Sequence, residues 1–359
     1  MMGRQMQLGA TAETQMVDLF AGPGGLDVAA RWLGVSAVGI EWDANACATR
    51  EAAGLHTLHA DVRSFGPEDF PSATILAGGP PCQTYTVAGS GTGRRALERV
   101  LDFVKRMAAG EDIAEGLREL DDERTGLVLE PLRWALQADR LGAPYEAILL
   151  EQVPAVRPVW LAVGEALEGI GYKVSCGVLH TEEYGVPQTR RRAILLARRD
   201  IKPELPHPTH RPFRKGVARS DGDPTLLPWE TMGRALRRTE RFTVISNYGT
   251  GGDPKLRGRR RSEEPSATVT GKVSRNRLVD HDNRELPRFT SPEAGRLQTF
   301  PLDYPWSGKD IAQQIGNAIP PLLAAHALAA VLARPIDGTV LQSFVDESWL
   351  SGSDETDVA

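Results

Sequence analysis

Four side chains in this 359-residue sequence stand where they could carry out covalent chemistry. Cys82 follows a rigid Gly-Gly-Pro-Pro turn, Glu151 ends an apolar run, and Arg190 and Arg192 precede another. A cysteine thiolate is a nucleophile, a carboxyl group can carry a proton, and a guanidinium binds phosphate or a carbonyl oxygen. Burying a carboxylate at the end of an apolar strand costs free energy, so a residue such as Glu151 is expected to have a function there. We therefore predict an active site with Cys82 as its nucleophile.

A glycine-rich turn near the N-terminus indicates a cofactor site. Residues 21–25 follow the apolar run 16–20, and Glu41 ends the next run. Such turns bind phosphate or nucleoside groups at the carboxyl ends of parallel strands, where a carboxylate can accept from ribose hydroxyls. Trp42 offers a stacking surface for adenine and Asp61 an acceptor for its amino group. The Gly-x-Gly-Gly spacing differs from the dinucleotide pattern and favours a mononucleoside cofactor such as S-adenosylmethionine.

The elements that must position these residues alternate between short apolar runs and helix-like segments. This alternation predicts an α/β fold with a doubly wound, mostly parallel sheet that is covered on both faces. The predicted parallel strands are residues 16–20, 37–40, 57–59, 74–77 and 147–150. Two later runs, 173–179 and 192–197, predict an antiparallel pair at the edge of the sheet.

Beyond residue 200 the periodicity is lost in Pro, Gly and Arg, which predicts a smaller, irregular domain. Order returns near residue 288, where Ser291 and Pro292 predict a capped helix start and residues 319–332 an apolar helix. The predicted parts are a catalytic and cofactor-binding domain over 1–199, a target-recognition domain over 200–287, a segment over 288–345 that completes the catalytic domain, and an acidic tail over 346–359.

Charge is distributed unevenly along the chain. The net charge is −5, yet residues 211–277 contain sixteen Lys and Arg against seven Asp and Glu, a local excess of +9. The rest of the chain therefore carries −14. Such an asymmetry is typical of a protein with one lobe facing a polyanion.

Composition excludes several classes of protein. The hydrophobic fraction is 41%, and no apolar run approaches the ~18 residues of a spanning helix, so no membrane partner is expected. The three cysteines lie far apart without zinc-ligand spacing, so we predict no metal site and no disulfide framework. Cys47 and Cys176 fall inside a predicted helix and strand and are expected to pack. The polar N-terminus contains no signal core, which predicts a cytoplasmic protein.

Six motifs follow one another in a fixed order along nearly the whole chain. They are Phe20-Ala21-Gly22-Pro23-Gly24-Gly25, Pro81-Cys82-Gln83, Glu151-Gln152-Val153, Gln188-Thr189-Arg190-Arg191-Arg192, Arg296-Leu297-Gln298-Thr299-Phe300-Pro301 and Gln314-Ile315-Gly316-Asn317-Ala318-Ile319-Pro320-Pro321. Together these motifs resemble the DNA (cytosine-5)-methyltransferase family of the bacterial and phage restriction-modification type.

The resemblance implies a reaction and its residues. Cys82 would add to C6 of a flipped-out cytosine in a specific double-stranded DNA sequence, and the methyl group of S-adenosylmethionine would pass to C5. Glu151 would be the acid that holds cytosine N3, with Arg192 and Arg190 as a basic pair near the base and the backbone. The cofactor would lie on Phe20, Gly22, Gly24, Gly25, Glu41, Trp42, Asp61, Val62, Pro81 and Asn317.

One departure from the family pattern keeps a second function open. The family's Glu-Asn-Val is Glu151-Gln152-Val153 here, and its Asn is expected to brace the loop that holds the cysteine. A non-catalytic DNA-binding protein on a decayed methyltransferase core is therefore one alternative, and an RNA cytosine-5 methyltransferase is another. A separate restriction endonuclease is a candidate partner, a monomer is expected, and binding to DNA would place the protein at the nucleoid.

Overall fold

The computed structural model describes residues 14–81, 91–249 and 257–350. Within these residues the strands form a seven-stranded sheet and a four-stranded sheet. The strands of the first sheet are β1 (Met16–Leu19), β2 (Ala37–Glu41), β3 (Thr57–His59), β4 (Ile75–Gly78), β5 (Ala147–Gln152), β6 (Lys173–His180) and β7 (Arg191–Arg198). Those of the second are β8 (Thr243–Gly249), β9 (Arg257–Arg261), β10 (Arg277–Val279) and β11 (Glu285–Leu286).

Helices cover both faces of the first sheet. The described helices are α1 (Gly25–Trp32), α2 (Ala44–Ala52), α3 (Gly91–Ala108), α4 (Ala114–Arg118), α5 (Glu130–Arg140), α6 (Arg157–Gly169), α7 (Met232–Ala235), α8 (Ser291–Leu297), α9 (Ile311–Asn317), α10 (Pro321–Val331) and α11 (Gly338–Asp346). Side chains alternate along each strand, so Val17 and Leu19 of β1 join the core formed with α3, α5 and α6. Met16 joins the opposite core, formed with α1, α10 and α11.

The first sheet has the order β3-β2-β1-β4-β5-β7-β6. Its strands pair in parallel except for β7, which is antiparallel to both β5 and β6. The predicted α/β class and the predicted antiparallel pair at the edge are confirmed, and the predicted strand ends differ from the observed ones by two residues at most. The strands are apolar on both sides because each side is covered by helices.

The second sheet corrects the expectation of an irregular domain. Its order is β11-β10-β8-β9, with antiparallel neighbours. The strand β9 has the sequence Arg-Gly-Arg-Arg-Arg, which contains no apolar alternation to reveal it. Val244 and Leu278 of this sheet pack in one hydrophobic cluster with Phe289, Leu297 and Ile315. The packing therefore continues across the predicted boundary between residues 287 and 288.

The segment after residue 288 returns to the first sheet. The cap of α8 is Thr290, not Ser291 as predicted: the Thr290 hydroxyl accepts from Glu293 N–H at 3.3 Å, and the Glu293 carboxylate accepts from Thr290 N–H at 2.9 Å. The predicted apolar helix is α10. The segment Ile311–Val331 is apolar enough to cross a membrane, but 89% of its most apolar window is buried inside the protein, as expected of a core helix.

Candidate active site

The topology brings the predicted site residues to one edge of the first sheet, the edge formed by the carboxyl ends of its parallel strands. The last residues of β1, β4 and β5 lie side by side, since Gly78 is opposite both Leu19 and Leu150. The strand β7 runs the other way, so its first residues lie beside the end of β5, with Gln152 opposite Ala193. The glycine-rich turn, the turn before Cys82, Glu151 and Arg192 consequently share this edge.

Glu151 and Arg192 form an ion pair at this edge. The distance from Glu151 Oε1 to Arg192 Nε is 2.5 Å, and the two side chains are only 9% and 12% exposed. A Cβ atom added to Gly79 would lie 3.4 Å from Glu151 Oε2, so the carboxylate packs closely against the turn that leads to Cys82. A desolvated carboxylate that is oriented in this way is suited to a directed hydrogen bond with a bound group.

Cys82 itself lies outside the described residues, but the turn before it is described. Gln152 is buried, and its Nε2 donates to the carbonyl oxygen of Pro80. The side-chain oxygen of Gln152 accepts from the N–H of Val153. The longer side chain at this departure from the family pattern therefore ties the Pro80-Pro81 turn to the end of β5.

Arg190 has different surroundings from Arg192. It is buried, and its guanidinium donates to the carbonyl oxygens of Val269 at 2.9 Å, Gly316 at 2.9 Å and Ala318 at 3.2 Å. These contacts join three separate segments of the chain. These contacts indicate that Arg190 holds neighbouring segments of the backbone in position. The sequence instead predicted that Arg190 and Arg192 lie together near the base.

The glycine-rich turn adopts a conformation that few residues tolerate. Phe20, Gly22 and Gly24 have φ values of 61°, 55° and 105°. A Cβ atom at Gly25 would lie 2.3 Å from the carbonyl oxygen of Ile319, so the turn packs directly against the returning segment. A Cβ at Gly22 would meet no atom within 4 Å, which leaves open space in front of the turn.

Glu41 supports this turn from the neighbouring strand. Its carboxylate accepts from the N–H groups of Gly22 at 2.7 Å, Trp42 at 2.8 Å and Asp43 at 2.7 Å. The Trp42 ring is 71% exposed and is free to stack on a planar ligand. Gly22, Glu41 and Trp42 are thus brought together, and they suit a nucleoside better than a metal.

Three other predicted cofactor residues have partners of their own. Asp61 is in an ion pair with Arg63 at 2.6 Å, and the hydrogen bond from Arg63 lowers the pKa of that carboxyl. Val62 is buried in the core, and the side-chain oxygen of Asn317 accepts from Gln313 Nε2 at 2.7 Å. Asp61 and Asn317 are therefore held in place by neighbouring side chains.

A buried charged cluster beneath the turn was missed by sequence reasoning. Arg50 donates two hydrogen bonds to Asp27, at 2.6 and 2.7 Å. Both carboxylate oxygens of the neighbouring Asp18 are buried without a hydrogen-bond partner in the described part of the chain, and burial raises the pKa of Asp18 well above its ordinary value. The sequence did contain one indication of this cluster, because Asp18 is an acidic residue inside the otherwise apolar strand β1.

The other two cysteines lie where the sequence predicted them. Cys47 is in α2 and Cys176 in β6. Burial raises the pKa of the Cys47 thiol to about 11 and also raises that of Cys176. Neither thiol is ionised at neutral pH, which makes both poor nucleophiles.

A cleft of about 530 Å³ opens between the start of β7 and the second sheet. We call it the arginine cleft, because five of its ten lining residues are Arg or Lys. Its lining residues are Pro154, Glu182, Thr189, Arg190, Arg191, Arg192, Phe213, Lys215, Arg260 and Thr268. Glu182 is the one carboxylate among the described residues that line the cleft; it is only 6% exposed, and burial raises the pKa of Glu182 to about 7.

The family model described as C-5 cytosine-specific DNA methylase matches residues 14–104, 118–227 and 228–333. The chain belongs to this family. The predicted family and enzyme class, DNA (cytosine-5)-methyltransferase, are confirmed by this match over most of the chain.

Curated relatives of the methylase are similar over most of their length. Type II methyltransferase M1.HphI of Haemophilus parahaemolyticus is 28% identical over a match that covers 88% of this chain and 86% of the relative. Type II methyltransferase M.AplI of Arthrospira platensis is 26% identical over a match that covers 89% of this chain and 87% of the relative.

Solved structures show the same fold. The S. pombe Dnmt2 methyltransferase superposes with a TM-score of 0.61 at 19% identity, covering 89% of this chain and 98% of that one. A putative DNA modification methyltransferase encoded within an E. coli prophage superposes with a TM-score of 0.56 at 17% identity, covering 89% and 99%.

Proposed function

We propose that this methyltransferase transfers a methyl group from S-adenosylmethionine to C5 of a flipped-out cytosine in a specific double-stranded DNA sequence, through a covalent bond between Cys82 and C6. The observation that carries the proposal is the buried Glu151–Arg192 pair, which lies at the same sheet edge as the glycine-rich turn and the turn before Cys82.

The chemistry follows from the weakness of cytosine C5 as a nucleophile. The Cys82 thiolate attacks C6, and Glu151, oriented by Arg192, places a proton on N3, so that the electron pair of the C5–C6 double bond becomes available at C5. S-adenosylmethionine, when bound, supplies an electrophilic methyl group for C5. A base then removes the proton from C5, the C6–S bond breaks to restore the thiolate, and N3 returns its proton to Glu151.

The cofactor would be held by the residues around the glycine-rich turn. The open space at Gly22 and the exposed Trp42 ring fit a nucleoside, and Glu41 holds the turn in place by accepting from the Gly22 N–H. Phe20, Gly24, Gly25 and Pro81 lie in the two turns that border this space. No metal is required by this chemistry.

The DNA would lie against the second domain. Residues 211–277 carry the +9 excess, and the arginine cleft opens next to Arg192. Extracting the target base from the stack costs a few kcal/mol, which contacts to the DNA backbone must offset. We assign this role to the predicted domain 200–287 and expect a monomer that acts in the cytoplasm.

The biological context is proposed from the relatives. Those described above are named Type II methyltransferases, so we place this methylase in a restriction-modification setting with a separate endonuclease as its partner.

The covalent step is tested with duplex DNA that contains 5-fluorocytosine. Fluorine cannot leave C5 as a proton does, so the bond between Cys82 and C6 persists and is detected by intact-mass analysis under denaturing conditions. Wild-type protein and the Cys176→Ser control should form the adduct when S-adenosylmethionine is present, whereas Cys82→Ser should not. Salt-sensitive DNA binding without an adduct would instead support the decayed-core alternative, and an adduct confined to RNA would support the RNA alternative.

A further inference from the structure

The arginine cleft contains two buried polar atoms without partners. Glu182 Oε2 and Arg260 Nη1 make no hydrogen bond within the part of the chain that the structure describes. Glu182 lies in the 3-10 helix Thr181–Tyr184 and Arg260 on β9, and both residues line the cleft, so two separate elements bring side chains of opposite charge to it. Buried polar atoms without partners are rare in folded proteins, and a ligand that bonds to them is one explanation.

Arg260 is fixed in position before any ligand arrives. Its guanidinium carbon lies 4.5 Å from the centroid of the Phe213 ring, and its Nη2 donates to the Thr189 hydroxyl at 3.4 Å. A guanidinium stacked on a ring keeps its edge available for two parallel hydrogen bonds. This geometry is suited to a planar group that presents two acceptors.

The neighbouring Glu182 indicates which planar group would bind. A carboxylate repels phosphate, so this part of the cleft favours a group with hydrogen-bond donors, while Arg191 and Lys215 line the remainder. In the major groove, guanine presents the acceptors O6 and N7, and the cytosine paired with it presents its N4 amino group next to them. An arginine beside a carboxyl group matches this pattern of acceptors and donor.

The cleft also lies next to the reaction centre. Arg192 lines it and contacts Glu151 at 2.5 Å. A base pair in the cleft would therefore lie beside the cytosine that is methylated.

We propose that the arginine cleft recognises one G·C pair of the recognition sequence beside the target cytosine, with Arg260 donating to guanine and Glu182 accepting from the amino group of its cytosine. This inference rests on the proposed function, because it assumes methylation of duplex DNA. Burial raises the pKa of Glu182 to about 7, and even the protonated carboxyl group retains an oxygen that accepts a hydrogen bond.

The test is a methylation profile on duplex oligonucleotides with randomised bases around one cytosine, read by base-resolution sequencing. Arg260→Ala should lower the preference for guanine at one position by roughly 10- to 100-fold and leave the other positions unchanged. Glu182→Ala should relax the preference at the same base pair. Arg259→Ala is the matched control: Arg259 is an exposed neighbour on β9 that does not line the cleft, and its loss should leave the sequence preference intact.

Arg260→Lys provides a second variant, which keeps the charge but not the planar fork and should also lose guanine preference. Melting temperature and S-adenosylmethionine binding report whether each variant is folded. Unchanged preference in both Arg260 variants, or an even loss at every position, would overturn the inference. Wild-type protein that methylates no duplex DNA would overturn the proposed function itself, and this inference with it.

Discussion

Arg190 and Arg192 are two residues apart, yet Arg190 is buried and donates to three backbone carbonyl groups, whereas Arg192 pairs with Glu151. Alternate residues of a strand point to the same side, which is why the sequence suggested a basic pair. The strand β7, however, begins at Arg191, so Arg190 precedes the pleated part and its side chain turns into the interior. The exact start of a strand is the feature that sequence patterns specify least well.

Replacing Arg190 should therefore affect stability first. Arg190→Ala removes a buried guanidinium and its three hydrogen bonds to backbone carbonyl groups, and it should lower the free energy of unfolding by about 3 kcal/mol. The control is Arg191→Ala, which removes an exposed arginine one position away and should change the stability by less than about 0.5 kcal/mol. Both are measured by denaturant unfolding, and equal midpoints for the two variants would refute the assignment.

Gln152 should affect the rate of methyl transfer rather than cofactor binding. Gln152→Ala removes the contact to the Pro80 carbonyl, so the turn before Cys82 loses its attachment to β5. A net loss of about 1 kcal/mol in positioning corresponds to a roughly fivefold lower kcat. Steady-state kinetics should show an unchanged KM for S-adenosylmethionine. A wild-type kcat would mean that the turn is held by other contacts.

At the level of the elements, the start of α1 packs against the backbone just before α10, and this packing fixes the conformation of the glycine-rich turn. Gly25→Ala would place a Cβ atom 2.3 Å from the Ile319 carbonyl oxygen, and this backbone cannot move without displacing α10. We expect a loss of about 1–3 kcal/mol in stability and weaker binding of S-adenosylmethionine in calorimetry.

Gly169 is the matched control for this change. It also lies in a helix, α6, but a Cβ there meets no atom within 4 Å. Gly169→Ala should leave cofactor binding unchanged and should be neutral or slightly stabilising. If the two alanine variants bind the cofactor equally well, close packing at Gly25 is not what shapes the site.

The elements also show where sequence reasoning succeeds and where it stops. The strands of the first sheet are buried on both faces, so their apolar runs are visible in the sequence and their ends were predicted within two residues. The strands β9 to β11 are short or rich in Arg, and β9 and β10 both pair with β8, to which the sequence pattern does not point. The hydrogen-bond partners of Arg190 and the residues that line the arginine cleft also come from distant parts of the chain, so the sequence did not predict them.

At the scale of the whole molecule, the separation of charge should make DNA binding strongly dependent on salt. Residues 211–277 carry +9 while the remainder carries −14, so DNA should be attracted to this segment. Each phosphate neutralised releases counterions, and we expect the Kd for duplex DNA to rise at least about tenfold between 50 and 200 mM salt. Binding of S-adenosylmethionine, measured alongside, should change little. A salt-independent Kd would contradict a DNA-binding role for this domain.

The most direct test of the central claim is to incubate the purified protein with S-adenosylmethionine and unmethylated genomic DNA and to map 5-methylcytosine by base-resolution sequencing. We predict 5-methylcytosine at one short recurring sequence, and none with Cys82→Ser. The absence of 5-methylcytosine with wild-type protein, or its presence without any sequence preference, would contradict the account.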